Sequence, residues 1–332
     1  MKKILNSPAD YVDEMLAGLV AAHPEYYRLH GDSGKVVARA KAGAKGKVGI
    51  VTGGGSGHLP VFTGYVGEGL LDACAIGDVF ASPSAEQMAD AIRSADQGAG
   101  VLRLYGNYGG DILNFDMAGD LVEFDDITCT TVLLTDDVAS ALPEEHEKRR
   151  GVAGMVYAFK TAGAAAEEGR DLVAVTSVAQ KTADSCRSIG VALSPCTVPQ
   201  AGKPTFEIAD DEMEMGMGIH GEPGIWRGKL RTADDIAAEM LERLVADMPL
   251  SGDDKVSVMV NSLGATPPEE LYILYNKVKA ALEASGASIV MPLVGRYATS
   301  MEMAGVSFTI CKLDDELESL LMAPCDCAFW RV

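Results

Sequence analysis

The sequence predicts an α/β protein made of two α/β domains, with glycine-rich strand-to-loop turns lining a cleft. Three observations predict it. Short apolar runs of strand length alternate with longer stretches of helical periodicity along the whole chain. Two glycine-rich segments, 53–58 and 106–111, directly follow such apolar runs. A segment with three prolines in eleven residues, Ser194–Pro204, interrupts the alternation. The boundary between a first domain (1–193) and a second (194–332) is expected there.

In chain order, Ser7 before Pro8 is a helix-start signal, and Tyr11, Met15 and Leu19 recur at helical spacing up to His23-Pro24. Lys47–Thr52 reads as a buried strand running into Gly53-Gly54-Gly55-Ser56-Gly57-His58. Ser84-Ala85-Glu86-Gln87 has the form of a capping box and opens a helix to about Ala95. Val101–Tyr105 is the next strand. The loop Gly106–Asp111, a helix after Asp111 and a strand over Thr128–Thr135 follow. Gly151–Glu168 and Asp171–Arg187 are alanine-rich helical stretches. Beyond the boundary, an acidic, methionine-rich segment (Ile208–Met217) ends at Gly218-Ile219-His220-Gly221-Glu222-Pro223-Gly224. A helix over 232–247, a strand at 256–260, a helix over 268–284 and strands near Ile289 and Ser307 complete the chain.

Composition sets the outer limits. Of 332 residues, 48% are hydrophobic and 23% charged, which excludes a mainly disordered chain. With 28 basic and 48 acidic residues the formal charge is −20, which argues against a broad nucleic-acid or anionic-membrane surface. A small anion held by backbone amides remains compatible. The seven cysteines are irregularly spaced, and the close pair Cys325 and Cys327 has no second pair or histidine nearby, so no zinc site is expected. Asn6, Pro8, Asp10, Asp13 and Glu14 interrupt any apolar core behind Met1-Lys2-Lys3, and no apolar run spans a membrane. A cytoplasmic location is expected.

Chemistry concentrates at three places. The run Gly53–His58 lacks the third glycine of a dinucleotide fingerprint, since His58 stands there, and lacks the Lys-Ser or Lys-Thr of a phosphate-cradling loop. A tight turn without a ligand is one reading. The other is a ligand loop that delivers an imidazole at a strand end. Asp111 is either a helix cap or a general base acting on an imidazole or a substrate hydroxyl. His220 is either structural or a nucleophile that adds to a ketone carbonyl and holds it as a hemiaminal, with Gly218 and Gly221 leaving room for the ligand.

Taken together, Gly53–His58, Asn107-Tyr108 with Gly110–Phe115, Cys196-Thr197-Val198-Pro199, Gly218–Ile225 and Asn261–Pro267 closely resemble the substrate-binding subunit of dihydroxyacetone kinase, the DhaK family. The resemblance covers essentially the whole chain. It implies that His220 captures the ketone of dihydroxyacetone covalently, while His58 and Asp111 assist phosphoryl transfer to a terminal hydroxyl. Gly55, Ser56, Gly57, His58, Gly106, Asp111 and His220 are the implied substrate-binding residues, and no metal is implied on this chain. It also implies a homodimer and a separate DhaL-like nucleotide-binding subunit. That partner would carry ADP or ATP with Mg²⁺, recharged in some systems by a phosphotransferase-system protein. Two positions depart from the family pattern: Leu59 stands where glutamate is usual, and Gly106 where lysine is common. They leave two alternatives, a kinase subunit for a four-carbon ketose such as erythrulose and a non-catalytic, ketone-binding coactivator. A nucleotide-dependent oxidoreductase would need a different glycine spacing.

Overall fold

Two six-stranded sheets organise the chain in the computed structural model, which describes residues 2–332. After helix α1 (Tyr11–Ala22), the first sheet collects β1 (Tyr27–His30), β2 (Val36–Arg39), β3 (Gly49–Ser56), β4 (Ala73–Val79), β5 (Val101–Gly106) and β6 (Cys129–Leu134). Their order is β1-β2-β4-β3-β5-β6, with β4, β3, β5 and β6 parallel and β1 and β2 antiparallel at one edge. Helices α2 (Ala85–Ala95) and α3 (Gly109–Glu123) make the crossovers that parallel pairing requires. The capping box at Ser84 and Gln87 is present in both directions.

Helices α4 (Gly154–Glu167) and α5 (Leu172–Asp184) lead into β7 (Cys186–Ser194), β8 (Glu212–Met215) and β9 (Trp226–Lys229). Then come α6 (Ala233–Asp247), β10 (Lys255–Ser262), α7 (Pro268–Ala284), β11 (Ser288–Gly295), β12 (Ala304–Leu313) and α8 (Asp315–Met322). The second sheet runs β11-β10-β12-β7-β8-β9 and is antiparallel except for the β10–β11 pair.

Helix α4 joins the halves. It packs on β3 and β5 of one sheet and on β7 and β12 of the other, and on α5 and α8. From Gly154 to Ala166 every residue of it is buried, which explains the run of alanines: small side chains let two sheets approach one helix. The largest core cluster therefore contains residues of both halves, from Val12 to Cys327. Separate clusters lie under α2 and α3 and under α6 and α7.

Several elements differ from the sequence expectation. The glycine run does not follow the strand but forms its second half, with Gly53, Gly54 and Gly55 paired to Ala75, Ile76 and Gly77 of β4. Glycine is required by packing: a Cβ at Gly54 would lie 2.3 Å from the Phe62 ring, and one at Gly55 would lie 2.7 Å from the Ala81 backbone nitrogen. Helix α3 begins at Gly109, so Asp111 sits in its first turn and is not its cap; Tyr108 holds the N-cap position without a side-chain bond. The helix expected over 171–187 stops at Asp184. Residues 186–194 form β7 of the second sheet, ahead of the proline-rich segment. Strands β1, β2, β4, β8 and β9 had no counterpart in the sequence reading.

Candidate active site

The carboxyl ends of β3, β4 and β5 and two loops of the second sheet meet at one place, the position where open α/β sheets bind ligands. His58 leaves β3 through Gly57, whose φ of +105° suits glycine. Its ring is stacked on Phe80 (centroids 4.9 Å apart, 24° between planes) and meets the edge of Phe62. Among the described residues, Phe62, Phe80 and Met301 are three of the four non-glycine residues with positive φ, and all three adjoin this segment. Backbone strain is thus concentrated around one imidazole.

His58 is 1% exposed. Burial, reinforced by the His220 charge, holds its pKa down at about 3 against the opposing effect of its bond to Thr299. Its Nδ1 lies 2.6 Å from the Thr299 carbonyl oxygen, in the loop between β11 and β12, and must therefore carry a hydrogen. Its Nε2 lies 3.0 Å from Nε2 of His220.

His220 comes from the loop between β8 and β9. Its ring stands edge-on to Tyr108, Phe80 and His58, with centroids 4.9, 5.3 and 4.8 Å away. Nδ1 donates to Glu222 Oε1 at 2.9 Å, and the His220 backbone N–H donates to Glu222 Oε2 at 2.9 Å. The loop can fold this way because residue 218 is glycine: a Cβ there would lie 2.2 Å from Glu222 Oε2. Burial alone would raise the Glu222 pKa. The His220 bond and charge, with Arg150, outweigh it and bring the carboxyl to about 2. Arg150 lies 3.7 Å from Glu222 and is itself anchored by Asp137 at 2.8 Å.

Asp111 is buried, and its Oδ1 accepts from Ser82 Oγ at 2.6 Å. Ser82 in turn accepts from Asn114 Nδ2 at 3.3 Å. Burial raises the Asp111 pKa to about 6, moderated by Ser82 and by the His220 charge. Among the described residues, no imidazole hydrogen-bonds Asp111; the carboxylate that holds a histidine is Glu222. Gly106 ends β5, and its carbonyl accepts the Tyr108 N–H at 2.9 Å. A Cβ at 106 would lie 3.1 Å from the Tyr108 ring and 3.3 Å from the Gly151 carbonyl oxygen, so a lysine here would press on the aromatic that flanks His220. Leu59 is partly buried against the central core cluster. Ser56 is 2% exposed, and among the described residues its hydroxyl has no hydrogen-bond partner.

The structure thus brings His58 and His220 into contact and sets Asp111 on the adjoining helix turn, with Gly55, Ser56, Gly57 and Gly106 on the strand ends beneath. Sequence reasoning assigned no role to Glu222, although it stands two residues from His220 in the quoted segment. It also missed Thr299, Ser82, Phe80, Tyr108 and Arg150. Only Tyr108 has a local signal, its place in the second glycine loop.

Fold and site define a two-sheet α/β protein that sets a carboxylate-held histidine beside a buried one where strand ends of one sheet meet loops of the other. A family model described as the Dak1 domain matches residues 17–329, and the chain belongs to that family. It is 46% identical over 332 residues to the PTS-dependent dihydroxyacetone kinase 1, dihydroxyacetone-binding subunit DhaK, of Listeria innocua, covering 99% of this chain and 100% of that protein. It is 42% identical to the L-erythrulose 1-kinase of Mycolicibacterium smegmatis, covering 100% of this chain and 58% of that enzyme. Among solved structures, the dihydroxyacetone kinase of C. freundii superposes with a TM-score of 0.91 at 30% identity, over 99% of this chain and 60% of that one. The dihydroxyacetone kinase operon co-activator Dha-DhaQ superposes at 0.88 with 31% identity, over 94% and 96%.

Proposed function

We propose that the chain is the ketose-binding subunit of a dihydroxyacetone-type kinase, a phosphotransferase whose phosphate donor sits on a separate subunit. The observation that carries this reading is the His58–His220–Glu222 arrangement. Both Nδ1 atoms face acceptors, so each keeps its hydrogen, and the Nε2–Nε2 contact needs one proton between the rings. When that proton rests on His58, the lone pair on His220 Nε2 adds to the ketone carbon. A C–N bond forms, the C=O π pair moves to oxygen, and His58 Nε2–H protonates that oxygen to give the hemiaminal hydroxyl. Burial makes a proton on His58 leave readily. The alkylated His220 ring is cationic, and Glu222 balances it.

A carbon bonded to Nε2 does not fit within a 3.0 Å gap, so the rings separate on capture. Gly218, Gly221 and Gly224 punctuate the loop that moves. Asp111, with a pKa of about 6, is the base that takes the proton of a terminal hydroxyl as its oxygen attacks the γ-phosphorus of the donor and ADP leaves on the partner subunit. Gly55, Ser56, Gly57 and Gly106 line the ketose. The donor is a DhaL-like subunit carrying ADP or ATP with Mg²⁺, recharged by a phosphotransferase-system protein where ADP is resident. The protein works in the cytoplasm as a homodimer, in the metabolism of glycerol-derived ketoses, with no role for nucleic acid or membrane. Among the described residues, no helix is long and apolar enough to cross a bilayer.

Intact-mass measurement of the chain incubated with dihydroxyacetone tests the capture. An adduct of one ketose is expected, absent in His220→Ala; an undiminished adduct in that variant overturns the assignment. Turnover with a donor subunit separates the kinase from a coactivator that binds without transfer. Erythrulose run in parallel decides between triose and tetrose, a second reading favoured by the likeness to an L-erythrulose 1-kinase.

A further inference from the structure

Two facing Nε2 lone pairs 3.0 Å apart repel unless something positive lies between them, and a proton is one of two solutions. We infer that the same pair is a binding site for a borderline divalent cation of the Zn²⁺, Ni²⁺ or Cu²⁺ class, and that its occupancy blocks ketose capture.

The geometry supports a metal in two ways. Two nitrogens bound to zinc at the usual length in a tetrahedral arrangement stand about 3.3 Å apart, close to the spacing already present. Second, each Nδ1 is already engaged: His58 by the Thr299 carbonyl, His220 by the Glu222 carboxylate. That is the outer shell which orients metal-binding imidazoles and fixes their tautomers.

Among the described residues, no group of three or more His, Cys, Asp or Glu side chains is arranged around a metal position. The site is therefore a two-point one, completed by water, which the partly exposed His220 admits. Imidazole pairs suit zinc, nickel and copper, whereas Mg²⁺ prefers oxygen ligands. The magnesium that accompanies a phosphate donor would pass this site by. A zinc ion would displace the shared proton to solvent and use the lone pair that the ketone needs.

The metal site stands on geometry alone; its consequence for capture rests on the proposed function. Calorimetric titration of the full chain with zinc chloride should give one saturable site that releases about one proton. The binding should be weakened at least about tenfold in both His58→Asn and His220→Asn, with folding checked by circular dichroism. Magnesium chloride should give no heat. Replacing the exposed His146 by alanine should leave binding intact, and Co²⁺ should give a visible d–d band that either site variant loses. In the capture arm, zinc should suppress the dihydroxyacetone mass adduct. Zinc binding unchanged in both asparagine variants, or no saturable binding up to about 100 μM zinc, overturns the metal site. Zinc binding at the pair with no adduct at any ketose concentration retains the metal site and overturns the capture reading instead. An adduct unaffected by bound zinc overturns the competition.

Discussion

Glu222 grips His220 twice, accepting the ring Nδ1–H and the backbone N–H of the same residue at 2.9 Å each. One side chain thereby sets the ring's tautomer and the path of the loop that carries it. Glu222→Gln keeps an acceptor for the ring but removes the charge that, in the proposed capture, balances the alkylated imidazole. A charge-assisted bond contributes about 1.5–3 kcal/mol, so ketose capture should weaken roughly 10–100-fold. The loss should appear in the adduct dissociation constant and KM more than in kcat at saturating ketose. Unchanged affinity would refute the positioning role.

Asp111 should govern the pH profile. Its pKa is raised to about 6, so the base form grows as pH rises through that value, and kcat should climb there. Asp111→Asn should flatten this limb and lower kcat by about 10²–10⁴-fold while leaving the ketose adduct in place. The sign for stability is opposite. A carboxyl whose folded pKa lies above its ordinary 3.8 contributes most below that value, and the contribution is lost as pH rises through about 6. Asp111→Asn should therefore raise Tm at neutral pH, and a lowered Tm would speak against a desolvated carboxylate.

These relationships were unevenly legible in the sequence. Long elements with regular periodicity, such as α2 with its capping box and α7, stand close to where the pattern puts them. Strand β4 (ACAIGDV) was invisible because small residues and an aspartate give it weak strand character, although burial on both faces holds it in mid-sheet. Strands of four residues, such as β1 and β9, are too short to display alternation. At the site, His58, Asp111 and His220 were legible because glycines mark their loops. Thr299 acts through a backbone carbonyl, for which any residue would serve, and Phe80 lies 22 residues from the imidazole it stacks on; only tertiary structure reveals either.

The glycine run should prove intolerant in its middle. A Cβ at Gly54 would fall 2.3 Å from the Phe62 ring, and Phe62 is itself held at φ +76° against His58. Gly54→Ala should cost about 1–3 kcal/mol by overpacking, lowering Tm in thermal denaturation, and should disturb capture through the displaced phenyl ring. Gly109→Ala is the control: a Cβ there meets nothing within 4 Å, and Tm should stay near the parent value.

Ser56 separates binding from folding most sharply. Among the described residues its buried hydroxyl has no hydrogen-bond partner, a costly condition that a hydroxylated ligand would relieve. Removing an unpaired buried hydroxyl is neutral or stabilising in the free protein, because no hydrogen bond is lost and a desolvation penalty disappears. On the proposed function, the same change should delete a contact to the bound ketose worth about 0.5–1.5 kcal/mol, a factor of roughly 2–13 in affinity. Ser56→Ala should thus leave Tm level or higher without ligand and give a smaller upward shift of Tm when dihydroxyacetone is added. Thermal scans with and without the ketose read both effects together. A fall in Tm without ligand would place Ser56 in the scaffold and remove it from the binding residues.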